Sequence, residues 1–238
     1  MANVISPFGA QDYVHQGGSQ RTEELATVWI ASSDPTPIFN GDLVSTYNPT
    51  AALLTGGFGP YITQGTSAAG PWKGVFRQCE YFNPATQRMV VSRYWPGSGV
   101  AGTSSMTGDV KAQIISDSAY RFTLQGSSLA TLFGSSNTGQ AISVAVNGVV
   151  GTPSSAGGNP ATQLSGMQAG SSGTTAVGSA VSAFPFRLVD LLSNTAPGNP
   201  LSGFPGVGSS LGIINGTDNT TPGQILIVEP LNWESRAF

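Results

Sequence analysis

Side chains that could carry out nucleophilic chemistry are scarce in this sequence. Cys79 is the single cysteine and His15 the single histidine among 238 residues. A cysteine or serine nucleophile needs a base such as histidine within hydrogen-bond reach. His15 follows Asp12 closely, but no Gly-x-Ser-x-Gly motif accompanies them, and both lie in a segment without regular periodicity. We therefore expect no catalytic triad and predict that Cys79 is a small buried side chain.

Paired carboxylates are the other catalytic arrangement to consider. The chain has 12 acidic residues, and their spacing in the sequence does not exclude a pair suited to glycoside hydrolysis. Aromatic platforms for a sugar would come from Trp29, Trp72, Trp95 and Trp233. Tryptophan at the end of a strand is more often a core anchor, and this is the role we predict. A polysaccharide-active enzyme remains a less favoured alternative.

Cofactor, metal and nucleic-acid sites have no pattern to support them. A single cysteine excludes an internal disulfide and a cysteine-based zinc site within one chain. The glycine cluster GFPGVG at 203–208 lacks the flanking strand and capped helix of a phosphate-binding loop. The net charge is −3, and the basic residues are scattered singly, so no basic patch is expected. We expect no cofactor, no metal and no nucleic-acid partner.

The composition favours a neutral, polar surface. Charged residues make up 9% of the chain, whereas soluble domains usually have roughly 25%. No stretch of about 18 apolar residues occurs, and the first residues lack the pattern of a secretory signal. We therefore expect synthesis in the cytoplasm, with no membrane partner. The length suits one large domain.

Short runs rich in β-branched and aromatic residues follow one another from Leu25 onward. Clusters of glycine, proline, asparagine or serine bound each run, which is typical of strands joined by turns. The runs are LATVWI (25–30), DLVSTY (42–47), KGVFRQCEYF (73–82), RMVVSRYW (88–95), VKAQIIS (110–116), YRFTLQ (120–125), AISVAVN (141–147), FPFRLVDLL (184–192) and QILIVEP (224–230).

Helical signals are few and short. A capped start at Asn48-Pro49 and the run SSLATLF (127–133) each allow one or two turns. The predicted fold class is all-β, a single β-sandwich or partly closed β-barrel over residues 25–238. Long irregular loops are expected at 97–108, 148–180 and 193–223, and loops of that length usually contact a partner.

The stretch GVFRQCEYFNPATQRMVVSRYWPG (74–97) predicts a β-hairpin. Its two strand-like runs flank NPATQ, whose Asn-Pro pair favours a turn. Strict alternation would place Val75, Arg77, Cys79 and Tyr81 on one face. The other face would then hold Phe76, Gln78, Glu80 and Phe82.

Residues 1–24 are predicted to be an extended docking arm. Glycine and proline interrupt the segment, and its apolar residues follow neither helical nor strand spacing. Apolar side chains on such a strip require a covering partner. The candidate partner-binding residues are Val4, Ile5, Phe8 and Tyr13.

Five segments in order resemble the decoration, or capsid cement, proteins of tailed-phage heads. They are FNGDLVS (39–45), GVFRQCEYFNPATQRMVVSRYWPG (74–97), VKAQIISDSAYRFTLQ (110–125), AFPFRLVDLLS (183–193) and QILIVEPLNW (224–233). The similarity departs from the family pattern at Leu43, where proline is frequent, and at Ser118 and Ala119, which replace a proline-containing acidic turn. The opening MANVISPFG is similar to the family's short Pro-Phe-Gly start but lacks its basic run.

The resemblance implies a structural virion protein and not an enzyme. Its partner would be the major capsid protein on the outer surface of the mature head, where it would stabilise the shell against internal DNA pressure. Contacts between copies are also implied, with a trimer favoured and a dimer possible. A tail spike or fibre module, or another glycan-binding adhesin, is the alternative. Such modules usually show repeats of fixed period, and none is visible here.

Overall fold

The predicted all-β class is confirmed. A computed structural model of the chain describes residues 9–12, 25–47, 59–65, 72–100, 103, 108–117, 120–125, 158–167, 186–191 and 225–230. Within these ranges the regular elements are all strands. They are β1 (Gln11–Asp12), β2 (Leu25–Ile30), β3 (Ile38–Phe39), β4 (Leu43–Tyr47), β5 (Tyr61–Gln64), β6 (Trp72–Asn83), β7 (Arg88–Ser92), β8 (Tyr94–Trp95), β9 (Val110–Ile115), β10 (Phe122–Gln125), β11 (Gly158–Asn159), β12 (Leu164–Ser165), β13 (Phe186–Leu191) and β14 (Ile225–Pro230).

Five of these strands form a closed barrel. Around it the order is β4, β5, β2, β9 and β6, and the barrel closes because β6 also pairs with β4. The pairing of β2 with β5 is parallel, and the other barrel pairings are antiparallel. A buried apolar cluster joins these strands, β3 and β8: Val28, Ile30, Ile38, Val44, Ile62, Phe76, Cys79, Trp95, Val110, Ala112 and Ile114.

Strand β6 links the barrel to the predicted hairpin. One of its edges pairs with β9, while along the other edge its first part pairs with β4 and its last part with β7. The turn between β6 and β7 is Pro84–Gln87, and the Asn83 side chain accepts hydrogen bonds from the amides of Ala85 (2.9 Å) and Thr86 (3.2 Å). The hairpin predicted from this stretch is therefore confirmed, with Asn83 organising its turn.

The predicted alternation along β6 is wrong, because a β-bulge lies within the strand. Pairing with β9 shifts register between Phe76 and Gln78, which makes Arg77 the extra residue. Phe76 consequently shares the barrel cluster with Cys79, with Tyr81 packed against it. Val75 belongs to a second core cluster instead. The bulge thus lets one strand contribute side chains to two cores.

That second core lies between the barrel and a four-stranded sheet. The order in this sheet is β1, β10, β14 and β13, with antiparallel pairing throughout. Its buried residues come from both layers and from three positions beside strands, Ala10, Tyr120 and Met167. The full set is Ala10, Leu43, Trp72, Val75, Ile115, Tyr120, Phe122, Leu124, Met167, Phe186 and Val228. The barrel and the sheet are thereby joined by continuous apolar packing.

The described part of the predicted docking arm, residues 9–12, is integral to this fold, which corrects the expectation for these four residues. Gln11 and Asp12 pair with Thr123 and Phe122 of β10, and Ala10 is fully buried. The sequence pattern missed the strand because two residues are too few to show a period.

Every predicted strand that falls on described residues is a strand in the structure, although 88–95 is interrupted at Arg93. The predicted strand at 141–147 and both short helical candidates lie outside the described residues. Strands β3 and β5 were not predicted, and the hairpin of β11 and β12 lies inside the predicted loop 148–180. Within the described ranges no helix is long and apolar enough to cross a membrane.

The close approach of β6 and β9 at Gly74 gives a stability prediction. A Cβ atom on Gly74 would overlap the carbonyl oxygen of Ile115, whereas a Cβ on Gly108 would meet nothing within 4 Å. We expect Gly74→Ala to lower the free energy of unfolding by about 1–3 kcal/mol, as overpacking usually does. Gly108→Ala is the matched control and should leave it within about 0.5 kcal/mol. Urea unfolding of both variants is the measurement, and equal midpoints would contradict the proposed contact.

Candidate functional site

A network of buried polar side chains, joined by hydrogen bonds, lies at the turn Asn40-Gly41-Asp42. Gly41 has a φ of 91°, a left-handed conformation that glycine tolerates and other residues rarely adopt. The turn is hydrogen-bonded to β6, since the Gly41 amide donates to the Phe76 carbonyl (2.9 Å) and the Phe76 amide donates to the Asp42 carbonyl (2.9 Å). The chain reversal therefore aims the Asp42 side chain into the protein at the end of the barrel pairing.

Three chain segments donate hydrogen bonds to the Asp42 carboxylate. The Phe39 amide and the Gln64 side-chain amide donate to Oδ2, at 2.7 and 3.1 Å. The Ser165 hydroxyl donates to Oδ1. Ser165 is itself held in place, because its amide donates to the Asn40 carbonyl (2.9 Å) and its hydroxyl accepts from the Met167 amide (2.9 Å). Asp42 thus joins β3, β5 and β12.

Burial dominates the electrostatics of this carboxyl group. Asp42 is 1% exposed, and burial raises its pKa from 3.8 to about 6, although the hydrogen bonds from Ser165, Phe39 and Gln64 act in the opposite direction. Loss of hydration disfavours the charged form of an acid more than three hydrogen bonds favour it here. The carboxylate is consequently an energetic burden of the folded state near neutral pH, despite its partners.

A second ionic group lies beside the turn. Arg77, the bulge residue, donates to the Asn40 side-chain oxygen at 3.1 Å and forms an ion pair with Asp12 of β1. Burial lowers the pKa of Arg77 to about 10, and the nearby Arg93 acts in the same direction. The guanidinium remains protonated at neutral pH. The bulge therefore places a cation where it connects the barrel, the turn and the four-stranded sheet.

This polar network is not arranged as a catalytic centre. Asp42 and Ser165 are sealed from solvent at 1% and 0% exposure, so a substrate has no access to them. Among the described residues no group of three or more histidine, cysteine or acidic side chains is placed to hold a metal ion. His15, the only candidate base, lies outside these residues. The network's evident role is to fix the relative positions of strands.

Cys79 is buried, as the sequence predicted. It is 2% exposed, and its thiol lies 3.7 Å from the carbonyl oxygen of Tyr94, to which it can donate a weak hydrogen bond. Burial raises the pKa of Cys79 to about 12. Because the thiolate is the nucleophilic form, this environment suppresses its reactivity.

The tryptophans also support the predicted role of core anchors. Trp72 and Trp95 are 1% and 0% exposed, so neither ring offers a face to a sugar. Trp29 is half-buried, and its amide donates to the Pro60 carbonyl at 3.0 Å. Trp233 lies outside the described residues.

The outer side of the hairpin carries a shallow pocket of about 80 Å³, lined by Gln78, Cys79, Glu80, Val91, Lys111 and Gln113. Small-molecule sites usually have volumes of about 300–1,000 Å³. The pocket is too small for a sugar ring with its neighbours. What distinguishes this surface is the exposed apolar side chains around it: Phe82, Met89 and Val91.

The predicted partner-binding residues Val4, Ile5, Phe8 and Tyr13 lie outside the described residues, so their docking role remains a prediction. Sequence reasoning also did not identify the Asp42 network or the exposed hairpin face. Comparison with known proteins gave no match to a family model, a curated protein or a solved structure.

The raised pKa of Asp42 predicts a specific pH dependence. A folded-state pKa above the unfolded value means that protonation of Asp42 stabilises the fold, so the contribution of this group to stability is greatest below about pH 4 and is lost as pH rises through about 6. The rise in the pKa of Asp42 corresponds to a loss of about 3 kcal/mol in the free energy of unfolding when the group is ionised. We expect Asp42→Asn to remove this decline, because its amide can accept from Phe39 and Gln64 and donate to Ser165. The measurement is the wild-type minus variant difference in unfolding free energy between pH 4 and 7.

Asp42→Ala is the matched comparison, because it leaves the buried donors of Phe39, Gln64 and Ser165 without an acceptor. Each orphaned donor costs about 1–3 kcal/mol, so this variant should be less stable than Asp42→Asn at every pH. A wild-type minus Asn difference that stays flat from pH 4 to 7 would contradict the assignment of the pKa to Asp42.

The burial of Cys79 predicts that a thiol reagent will modify it only after unfolding. We expect labelling by a disulfide reagent such as dithionitrobenzoate to be slow in native buffer and fast in guanidinium chloride, with the native rate following the rate of opening. Mass spectrometry of the labelled chain gives both rates. Fast stoichiometric labelling of the native protein would show that the Cys79 environment is open.

Proposed function

We propose that this chain is a decoration protein of a tailed-phage head, which binds the major capsid protein on the outer surface of the mature shell. The observation that carries the proposal is the ordered succession of five family-like segments over residues 39–233. The proposal includes a purely structural role without enzymatic activity, and assembly as a trimer on the shell.

The placement of those segments supports the proposal. FNGDLVS includes the Asn40-Gly41-Asp42 turn and most of β4, and the 74–97 segment forms the hairpin and β8. The remaining segments contribute β9, β10, β13 and β14. The five segments therefore supply three of the five barrel strands and three of the four strands of the adjoining sheet, as expected for signatures of a shared structural framework.

The physical character of the chain suits a shell-binding protein. Low charge and abundant small polar residues favour wide interfaces with many backbone hydrogen bonds. A protein that binds only the expanded shell stabilises that state by linkage, about 2.7 kcal/mol per site at a hundredfold excess over Kd. Repeated over many copies, this contribution would oppose the pressure of packaged DNA.

Binding to capsids tests the proposal directly. The full chain, purified separately, is mixed with expanded heads and with unexpanded proheads of the phage that encodes it, and the particles are sedimented. We expect saturable binding to expanded heads only, no binding to DNA at physiological salt, and no turnover of glycans. Equal recovery with and without heads, or turnover of a polysaccharide, would overturn the proposed function.

The proposed docking role of the first residues can be tested with a variant that leaves strand β1 unchanged. Replacing Val4, Ile5 and Phe8 with serine removes apolar contacts but leaves residues 9–12 in place. We expect about tenfold weaker binding to expanded heads and a change in thermal midpoint below about 2 °C, because only the bound state buries these side chains. Quantitative sedimentation and calorimetry provide the two measurements.

The matched control is Arg77→Met, which removes the ion pair with Asp12 and the bond to Asn40. It should lower the thermal midpoint, because Asp12 would remain partly buried without its cation. If the serine variant instead behaves like this control, with lowered stability and normal binding by its folded fraction, the first residues belong to the fold and not to the docking surface.

A further inference from the structure

Strand β7 has one edge without a partner strand in the described part of the chain. It adds a sixth strand to the sheet of the barrel, and among the described residues it pairs with β6 alone. Such an edge presents a row of backbone N–H and C=O groups to whatever lies beside it. An extended peptide can add to this edge by the same hydrogen bonds that join strands within a sheet.

The side chains on and beside this strand are unusually apolar for an exposed position. Met89 is 58% exposed, Val91 is 66% exposed, and Phe82, which pairs with Met89, is 45% exposed. Residues directly opposite in a ladder share a face, so these three side chains lie on the same outer side of the hairpin. An added strand would extend this face and cover part of it.

Two arginines border the apolar strand. Arg88 begins β7 and Arg93 follows its last residue, and both are exposed. Neither side chain has an ion pair among the described residues. At about 3.3 Å per residue, their Cα atoms are separated by roughly 16 Å along an extended chain. The backbone of Arg93 is already hydrogen-bonded, since its amide donates to the Gln163 side chain (3.1 Å) and its carbonyl accepts from the Asn40 amide (2.8 Å). The edge therefore combines a hydrogen-bonding ladder over 88–92, apolar side chains and a positively charged side chain at each end.

We propose that the edge of β7 opposite β6, which has no partner strand among the described residues, binds an extended peptide segment of another protein. In this segment apolar residues alternate and an acidic residue stands at each end. The backbone of β7 specifies a strand as the occupant, Met89 and Val91 specify apolar side chains on one face, and Arg88 and Arg93 specify the two carboxylates. The proposal is independent of the capsid role, because it defines the chemistry of the segment and not the protein that carries it.

A second copy of the same strand is a poorer occupant. Antiparallel self-pairing centred on Val90 would place Arg88 of one copy opposite Ser92 of the other, next to its Arg93. The two copies would bring four arginines to the ends of the added ladder, and like charges at such positions oppose pairing. Charge complementarity therefore favours an acidic segment over self-association through this edge.

The test uses a capped hexapeptide, Asp-Thr-Val-Thr-Val-Asp, added to the isotope-labelled full chain and followed by NMR. We expect saturable shifts of the backbone amides of β7, residues 88–92, with affinity in the millimolar range or tighter, as suits a short strand. Matched control peptides carry lysine in place of both aspartates, or proline in place of the central threonine. We expect at least tenfold weaker binding for each, because the first opposes the arginines and the second lacks a ladder donor.

Charge variants of the protein complete the test. Arg88→Glu with Arg93→Glu should bind the acidic peptide at least tenfold more weakly and the lysine peptide more tightly, whereas Arg88→Lys with Arg93→Lys should retain binding within about threefold. Thermal midpoints of both double variants establish that the fold is kept. Reversal of peptide preference by the glutamate variant is a result that general destabilisation cannot produce.

Three outcomes would overturn the proposal. One is the absence of shifts at 88–92 with up to about 5 mM acidic peptide, well into the millimolar range expected for weak ligands. The second is equal binding of the acidic and lysine peptides, and the third is saturable binding that shifts a different surface. In each case the arginines act as charges that keep an exposed edge from pairing, a known protection against aggregation.

Discussion

The relative positions of β3, β5 and β12 depend on the hydrogen bonds that the carboxyl group of Asp42 accepts. This group accepts hydrogen bonds from residues of β3, β5 and β12, which lie far apart in the sequence. Removing any one of these donors leaves the other two hydrogen bonds in place. Removing the acceptor leaves all three donors buried without a hydrogen-bond partner. Because burial disfavours its charged form, Asp42 provides specificity of position at a cost in stability near neutral pH. A purely apolar contact would hold these segments together without defining their register.

The bulge at Arg77 extends this constraint to the second layer. An added residue in β6 changes which side chains face the barrel, so Phe76 enters one core while Val75 enters the other. The same residue carries the guanidinium that joins Asn40 of the turn to Asp12 of β1. Backbone irregularity and side-chain chemistry thus coincide at one position. The barrel and the sheet can pack through apolar residues while the bulge ion pair sets how β1 meets the barrel.

Local sequence patterns predicted the strands well where runs were long and apolar, as for β2, β6 and β9. They failed at β1, β3 and β5, because such short strands depend on partners distant in the sequence. The hairpin turn was predictable from Asn83-Pro84, whereas the bulge was not, since only pairing with β9 reveals the extra residue. The same reason hid the polar network: Asn40-Gly41 signalled a turn, but nothing near Ser165 or Gln64 indicated that both would meet Asp42.

The β6–β7 hairpin has one side packed into the barrel core and one side exposed to solvent, and this difference affects how it can bind a partner. Its inner side holds Cys79 and Tyr81 against Trp95, whose ring lies edge-on to Tyr81 with centroids 5.5 Å apart. Its outer side exposes Met89 and Val91 beside the edge of β7 that no other described strand pairs with. Rigid inner packing keeps the strand extended before any partner arrives, which lowers the ordering entropy that binding must overcome. A strand edge held extended in this way either pairs with a complementary strand or is kept from pairing by the charges of Arg88 and Arg93.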